Sequence, residues 1–88
     1  MRTLFKESFL KDVEALGDGA LKKRVRKAIA QVEQVATLKD IKNLKKLKGG
    51  DQYYRIRIGD YRLGLILQDD TVVFVRCLHR RDVYRYLS

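Results

Sequence analysis

A single cysteine, Cys77, leaves the chain no internal disulfide to form, and a single histidine, His79, leaves no cluster from which to build a metal site. No run of 18 apolar residues occurs anywhere, which argues against a membrane partner. The opening MRTLFKESFLKDVEAL is interrupted by Lys6, Glu7, Lys11 and Asp12, so it lacks the continuous apolar core of an export signal and points to a cytoplasmic protein. Carboxylates are scarce too: 11 Asp and Glu stand against 20 Lys and Arg, for a net charge of +9 and a pI near 9.9. Such a balance implies a polyanionic partner, whether nucleic acid, an acidic protein or both. At 88 residues the chain is long enough for one small domain, residues 1–88, burying roughly 60 to 65% of its unfolded surface. It shows no repeats, linkers or low-complexity tracts.

What is present is a change of period. Arg2 to Phe5 reads as a short strand. Phe9, Val13 and Leu16 then recur at helical spacing until Gly17-Asp18-Gly19 stops the first helix. A second helix is expected from about Ala20 to Ala36, with Leu21, Val25, Ala28, Ile29 and Val32 on one face. The two form a helical hairpin. Thr37 to Lys48 reads as a loop or short edge strand before the Gly49-Gly50 pair. From Gln52 the period is 2, and Gly59-Asp60 and Asp69-Asp70 divide three apolar-rich runs into an antiparallel meander. Arg80 to Leu87 reads as a short C-terminal helical turn. The class is α+β, with the meander packed on the helices.

A two-residue loop at Gly59-Asp60 sets Ile58 opposite Tyr61, Arg57 opposite Arg62 and Arg55 opposite Gly64. Counting from Asp69-Asp70 in the same way sets Leu67 against Val72, Leu65 against Phe74, Gly64 against Val75 and Arg62 against Cys77, with His79 following on the Cys77 side. One face then gathers Tyr54, Ile56, Ile58, Tyr61, Leu63, Leu65 and Leu67 for the helices to cover. The other gathers Tyr53, Arg55, Arg57, Arg62 and His79 around the hollow at Gly64, and Arg81 if the strand runs two residues further. A merely solvated sheet face ordinarily opposes unlike charges across its strands. Here Asp60, Asp69 and Asp70 fall in turns, and Asp51 and Asp82 lie beyond strand ends. Exposed guanidiniums repel by only about 1 kcal/mol per pair at water-like dielectric, so the fold can bear them. The pattern asks for an external anion, and a phosphate fits.

YYRIRIGDYRLGLIL, followed by the strand VVFVRCL and then HRRDVYR, resembles the RelE/ParE superfamily of prokaryotic toxins from toxin-antitoxin pairs. The likeness runs over nearly the whole chain, and HRRDVYR after a third strand is its most specific part. For the RelE branch the resemblance implies a ribosome-dependent endoribonuclease that cuts mRNA in the ribosomal A site and so inhibits translation, held inactive by a cognate acidic antitoxin. It also implies cleavage by the RNA's own 2'-hydroxyl, leaving a 2',3'-cyclic phosphate and a 5'-hydroxyl, with no cofactor and no metal. The family's basic positions fall on Arg55, Arg57, Arg62 and Arg81, with Arg80 beside the last, and its C-terminal tyrosine falls on Tyr84. Planar bidentate donors suit phosphoryl oxygens, so Arg57, Arg62 and Arg81 are expected to hold and stabilise the scissile phosphate, Arg55 to help position the RNA strand, and Arg80 and Lys48 to add to RNA or phosphate binding. Relatives often carry lysine where Arg55 and Arg57 stand, and a guanidinium cannot act as a general base.

Proton transfer therefore falls to His79 or Tyr84. The plainer readings are a hydrogen-bonded strand terminator for His79 and a packing residue for Tyr84. Lys22, Lys23, Arg24, Arg26 and Lys27 suit either ribosomal RNA or a solvated helix face, as do Lys42, Lys45, Lys46 and Lys48. Cys77 reads as a small strand residue. Two other functions share the fold: a ParE-like inhibitor of DNA gyrase, and a silent module that grips RNA or its antitoxin.

Overall fold

The computed structural model describes residues 1–48 and 52–83. In chain order it has β1 (Arg2–Phe5), α1 (Glu7–Glu14), α2 (Gly19–Gln34), a 3-10 turn at Leu38–Asp40, β2 (Leu44–Lys46), β3 (Tyr53–Ile58), β4 (Tyr61–Gln68), β5 (Thr71–His79) and a second 3-10 turn at Arg80–Asp82. The α+β class and the order of elements agree with the sequence reading, including the short edge strand after the second helix. The meander is the centre of a larger, five-stranded sheet in the order β1-β5-β4-β3-β2. β1 runs parallel to β5, pairing Arg2 with Thr71 through Phe5 with Phe74. The expected C-terminal turn is present at Arg80–Asp82, and its remainder, residues 84–87, lies outside the described residues.

Local chemistry explains the helix boundaries. The Asp18 carboxylate accepts from the backbone N–H groups of Ala20 at 2.9 Å and Leu21 at 3.2 Å, capping two otherwise orphaned donors of α2. At the other end Val35 turns extended, with φ −91° and ψ 155°, so α2 stops at Gln34 rather than Ala36. Val25, Ala28 and Val32 are buried against the sheet, with Leu21 and Ile29 half-buried beside them. They meet Ile56, Ile58, Leu63, Leu65, Val72 and Phe74 in one apolar cluster, which Phe9 and Leu16 close from the α1 side.

The first hairpin has the expected register: Ile58 faces Tyr61, Arg57 faces Arg62 and Arg55 faces Gly64. The second does not. Leu65 faces Phe74 as expected, but Gly64 faces Arg76, leaving Val75 as an extra residue in β5. Beyond this bulge every partner moves by one. Leu63 faces Cys77, Arg62 faces Leu78 and Tyr61 faces His79. The cause lies on α1, because β1 ends at Phe5 and exposes the edge of β5 from Val75 onward. There Ser8 Oγ donates to the Val75 carbonyl at 2.6 Å, and the Asp12 carboxylate accepts from the Cys77 N–H at 2.9 Å. The helix thus takes over the edge pairing that a strand would otherwise supply.

Both hairpin loops place their first residue at positive φ: Gly59 at 57° and Asp69 at 56°. Glycine tolerates that conformation, whereas Asp69 bears a cost of roughly 1 kcal/mol, set against the extra chain entropy that a glycine must lose on folding. Asp69→Gly is expected to stabilise the domain by about 0.5 kcal/mol and Asp69→Val to destabilise it by more than that. Urea unfolding of the two variants checks this, and a loss of stability for Asp69→Gly would show that the loop carries no backbone strain.

Candidate nucleic-acid interface

Arg57 on β3 and Arg62 on β4 are direct cross-strand partners, so both lie on the sheet face turned away from the apolar cluster. Arg55 shares that face beside Gly64, which presents no side chain between the strands. Lys45 stands opposite Arg55 on the edge strand β2, extending the row of cations by one strand. Among the described residues no carboxylate lies within salt-bridge distance of Arg55, Arg57 or Arg62.

The Arg62 side chain is held in place by the turn. Its Nη1 donates to the carbonyls of Gly59 and Tyr61, both at 2.9 Å, which leaves its other guanidinium nitrogens uncommitted. Burial, followed by the fields of Arg55, Arg57 and Arg80, lowers the Arg62 pKa from its ordinary value, and Asp60 opposes them only in part. Four guanidiniums therefore converge on one place. Arg80 enters this set through the turn: its N–H donates to the Asp60 carbonyl at 2.7 Å, and its side chain lies 3.8 Å from the Asp60 carboxylate, both groups largely exposed.

His79 lies elsewhere. The extra residue in β5 carries it to the Tyr61 side of the sheet, where the two rings meet edge-on with centroids 5.3 Å apart. This corrects its expected place among the arginines, which Leu78 occupies instead, opposite Arg62. Its Nδ1 accepts from the Arg81 backbone N–H at 3.2 Å, and Arg81 Nε lies 3.5 Å from the same atom. A neutral ring bonded in this way carries its proton on Nε2 and has no free acceptor. Arg81 follows the strand in the 3-10 turn rather than continuing it, and it is not among the charges that act on Arg62. Lys48 is exposed just past β2, and Tyr84 lies outside the described residues.

Cys77 moves with it, onto the helix side opposite Leu63. Burial, with the Asp12 carboxylate adding to it, pushes its thiol up to about 11, so it is protonated at neutral pH and is no nucleophile. The sequence reading did not single out Lys45 as a neighbour of Arg55. The pairing was hidden because residues 47–52, rather than a two-residue turn, connect β2 to β3.

Comparison with known proteins identifies the family and the fold. The family described as ParE toxin of type II toxin-antitoxin system, parDE, matches residues 4–84. Toxin RelE3 of Methanocaldococcus jannaschii is 40% identical over 87 residues, covering 98% of each chain. A chain of the RelB-RelE antitoxin-toxin complex from Methanococcus jannaschii superposes with a TM-score of 0.82 at 37% identity, covering 97% of this chain and 99% of that one. A chain of the archaeal RelE-RelB complex from Pyrococcus horikoshii shares the fold, with a TM-score of 0.74 at 22% identity over 90% of this chain and 93% of that one. With a family match over nearly its full length and a toxin homologue of equal size, the chain belongs to the RelE/ParE superfamily of toxins of type II toxin-antitoxin systems.

Proposed function

We propose that this toxin is a ribosome-dependent endoribonuclease that cleaves mRNA in the ribosomal A site and thereby inhibits translation. The observation that carries the reading is the direct pairing of Arg57 with Arg62 on a face where, among the described residues, no carboxylate neutralises them. Like charges placed opposite each other cost stability, and a bound phosphodiester turns that cost into affinity. Planar guanidiniums also suit its non-bridging oxygens, as bidentate donors.

In the reaction the 2'-hydroxyl oxygen bonds to the adjacent phosphorus as the bond to the 5'-oxygen breaks, giving a 2',3'-cyclic phosphate and a 5'-hydroxyl. One proton leaves the 2'-hydroxyl and one reaches the departing 5'-oxygen. Arg57 and Arg62 hold the phosphate and meet the negative charge that grows on its oxygens. Arg80 adds to the field at Arg62, and Arg55, Lys45 and Lys48 bind the flanking backbone. Arg81 approaches once RNA is bound, and Tyr84 stacks on a base or transfers a proton. The RNA supplies its own nucleophile, so the step calls for no cofactor and no metal. By likeness to the RelB-RelE complex from Methanococcus jannaschii, the chain pairs with a cognate antitoxin, an acidic one that covers the cationic face in the cytoplasm. Among the described residues no helix is long and apolar enough to cross a membrane.

Translation in vitro with purified ribosomes tests the reading, with message ends mapped for wild type and Arg62→Ala. Codon-positioned cuts that vanish in the variant support it. Intact message together with inhibited gyrase supercoiling would overturn it in favour of the ParE-like activity.

His79 serves here as a positioning residue, since its Nδ1 is already committed to the Arg81 N–H. His79→Gln is expected to lower the cleavage rate by less than about tenfold and to leave the shape of the pH-rate profile unchanged. Loss of a limb of that profile in His79→Gln would instead make His79 the proton carrier.

A further inference from the structure

α2 reaches the cationic face at one point, the β3–β4 turn. A methyl group placed on Gly59 would lie 3.1 Å from one terminal nitrogen of Arg24 and 3.7 Å from the other, so this guanidinium rests directly on the turn. Gly59 therefore touches two arginines: Arg24 lies against its Cα, and Arg62 Nη1 holds its carbonyl at 2.9 Å. Among the described residues no carboxylate pairs with Arg24, and none lies within a helical turn of it on α2. Lys27 lies three residues on, and the pair Lys23 and Lys27 sets like charges at i,i+4, a spacing that weakens a helix unless something anionic joins them. The shortage of counter-charge seen on the sheet face thus continues around the turn and onto the helix.

We propose that Arg24 and Arg62, on either side of Gly59, form a second phosphate-binding position, so that single-stranded RNA leaves the sheet face over the β3–β4 turn and follows Lys23 and Lys27 along α2. The inference rests on the sheet face being an RNA site, and it adds the direction in which the strand exits. Gly59 suits this path because a side chain there would crowd the Arg24 guanidinium, which would have to shift by a few tenths of an ångström, on a backbone at positive φ that favours glycine.

The test uses the full chain and a fluorescent, 2'-O-methylated RNA of about 12 nucleotides, which cannot be cleaved; anisotropy is read from about 50 to 200 mM salt. Arg24→Ala is expected to weaken binding about three- to tenfold at the lowest salt and to reduce the slope of log K against log salt by roughly 0.7, the loss of one phosphate contact on a single strand. Arg24→Lys keeps the slope. Lys11→Ala removes one positive charge from α1 and provides the reference for a general charge effect. An Arg24→Ala shift no larger than that of Lys11→Ala overturns the proposal, as does an absence of binding at the lowest salt. Neither result touches ribosome-dependent cleavage, which is read separately through Arg62→Ala, so the path and the activity can fail independently.

Discussion

Replacing Arg62 with alanine is expected to lower the proposed ribosome-dependent cleavage by about 10²- to 10³-fold, the scale on which a single preorganised donor to a developing oxyanion acts. Two carbonyls hold Arg62 Nη1 on the turn, so its remaining donors are aimed before RNA arrives and little reorganisation is left for the transition state. Arg57 is exposed and, among the described residues, its side chain has no such brace, so Arg57→Ala is the milder lesion of the two. Lysine at position 62 keeps the charge but loses the planar fork, and it recovers only part of the rate. The same substitution does not cost the fold. Burial and the fields of Arg55, Arg57 and Arg80 already disfavour the charged form of Arg62. Removing it relieves repulsion that offsets two exposed or part-buried hydrogen bonds, each worth about 1 kcal/mol. Thermal unfolding run beside the cleavage assay is expected to show Arg62→Ala within a few degrees of wild type. Undiminished cleavage by a folded Arg62→Ala protein would remove this residue from the mechanism.

The antitoxin follows from the same electrostatics. If the face binds RNA as proposed, the repulsion among Arg55, Arg57 and Arg62, which no described carboxylate pairs within salt-bridge distance, is relieved by an acidic partner as that partner blocks RNA. Inhibition and stabilisation are then one interaction, which predicts no separate site for the antitoxin's acidic residues.

The first hairpin was legible in the sequence because Gly59-Asp60 admits one short loop, and that loop fixes which residues of β3 and β4 face one another. The core face was legible for the same reason. Past Leu65 the count failed by one residue. Val75 carries no mark of a bulge; it is valine, in a run of β-formers. What makes the bulge is Ser8 and Asp12, about 65 residues earlier in the chain, and side-chain alternation says nothing of partners that distant. The error passed to the site: the count placed His79 among the arginines, whereas the bulge turns His79 to the helix side and brings Leu78 beside Arg62. Arg24 was hidden for a related reason. A helix face and a hairpin turn meet only in three dimensions, and in the sequence Arg24 is one cation in a run of five.

Asp12→Ala should be the most damaging substitution outside the core, at about 2 to 4 kcal/mol. Asp12 ties α1 to β5 with three bonds: its carboxylate accepts from Arg76 Nε at 2.7 Å, from Arg76 Nη2 at 3.2 Å and from the Cys77 N–H at 2.9 Å. The Asp12 side chain is 17% exposed and that of Arg76 26%. Breaking a fully buried pair costs about 3 to 5 kcal/mol, and partial exposure reduces the ionic share of that figure. The orphaned Cys77 N–H, half-covered at a sheet edge, adds about 1 to 3 kcal/mol if water reaches it poorly. A domain of this length has about 4 to 13 kcal/mol in all, so the melting temperature should fall by roughly 10 to 25 °C. Asp12→Asn separates the two contributions, because its amide oxygen still accepts from Cys77 while the charge is gone, and it should lose about half as much. Urea unfolding of the two variants decides the matter. Equal losses would place the whole effect in the ion pair, and an Asp12→Ala protein within about 0.5 kcal/mol of wild type would show that α1 does not hold the bulge.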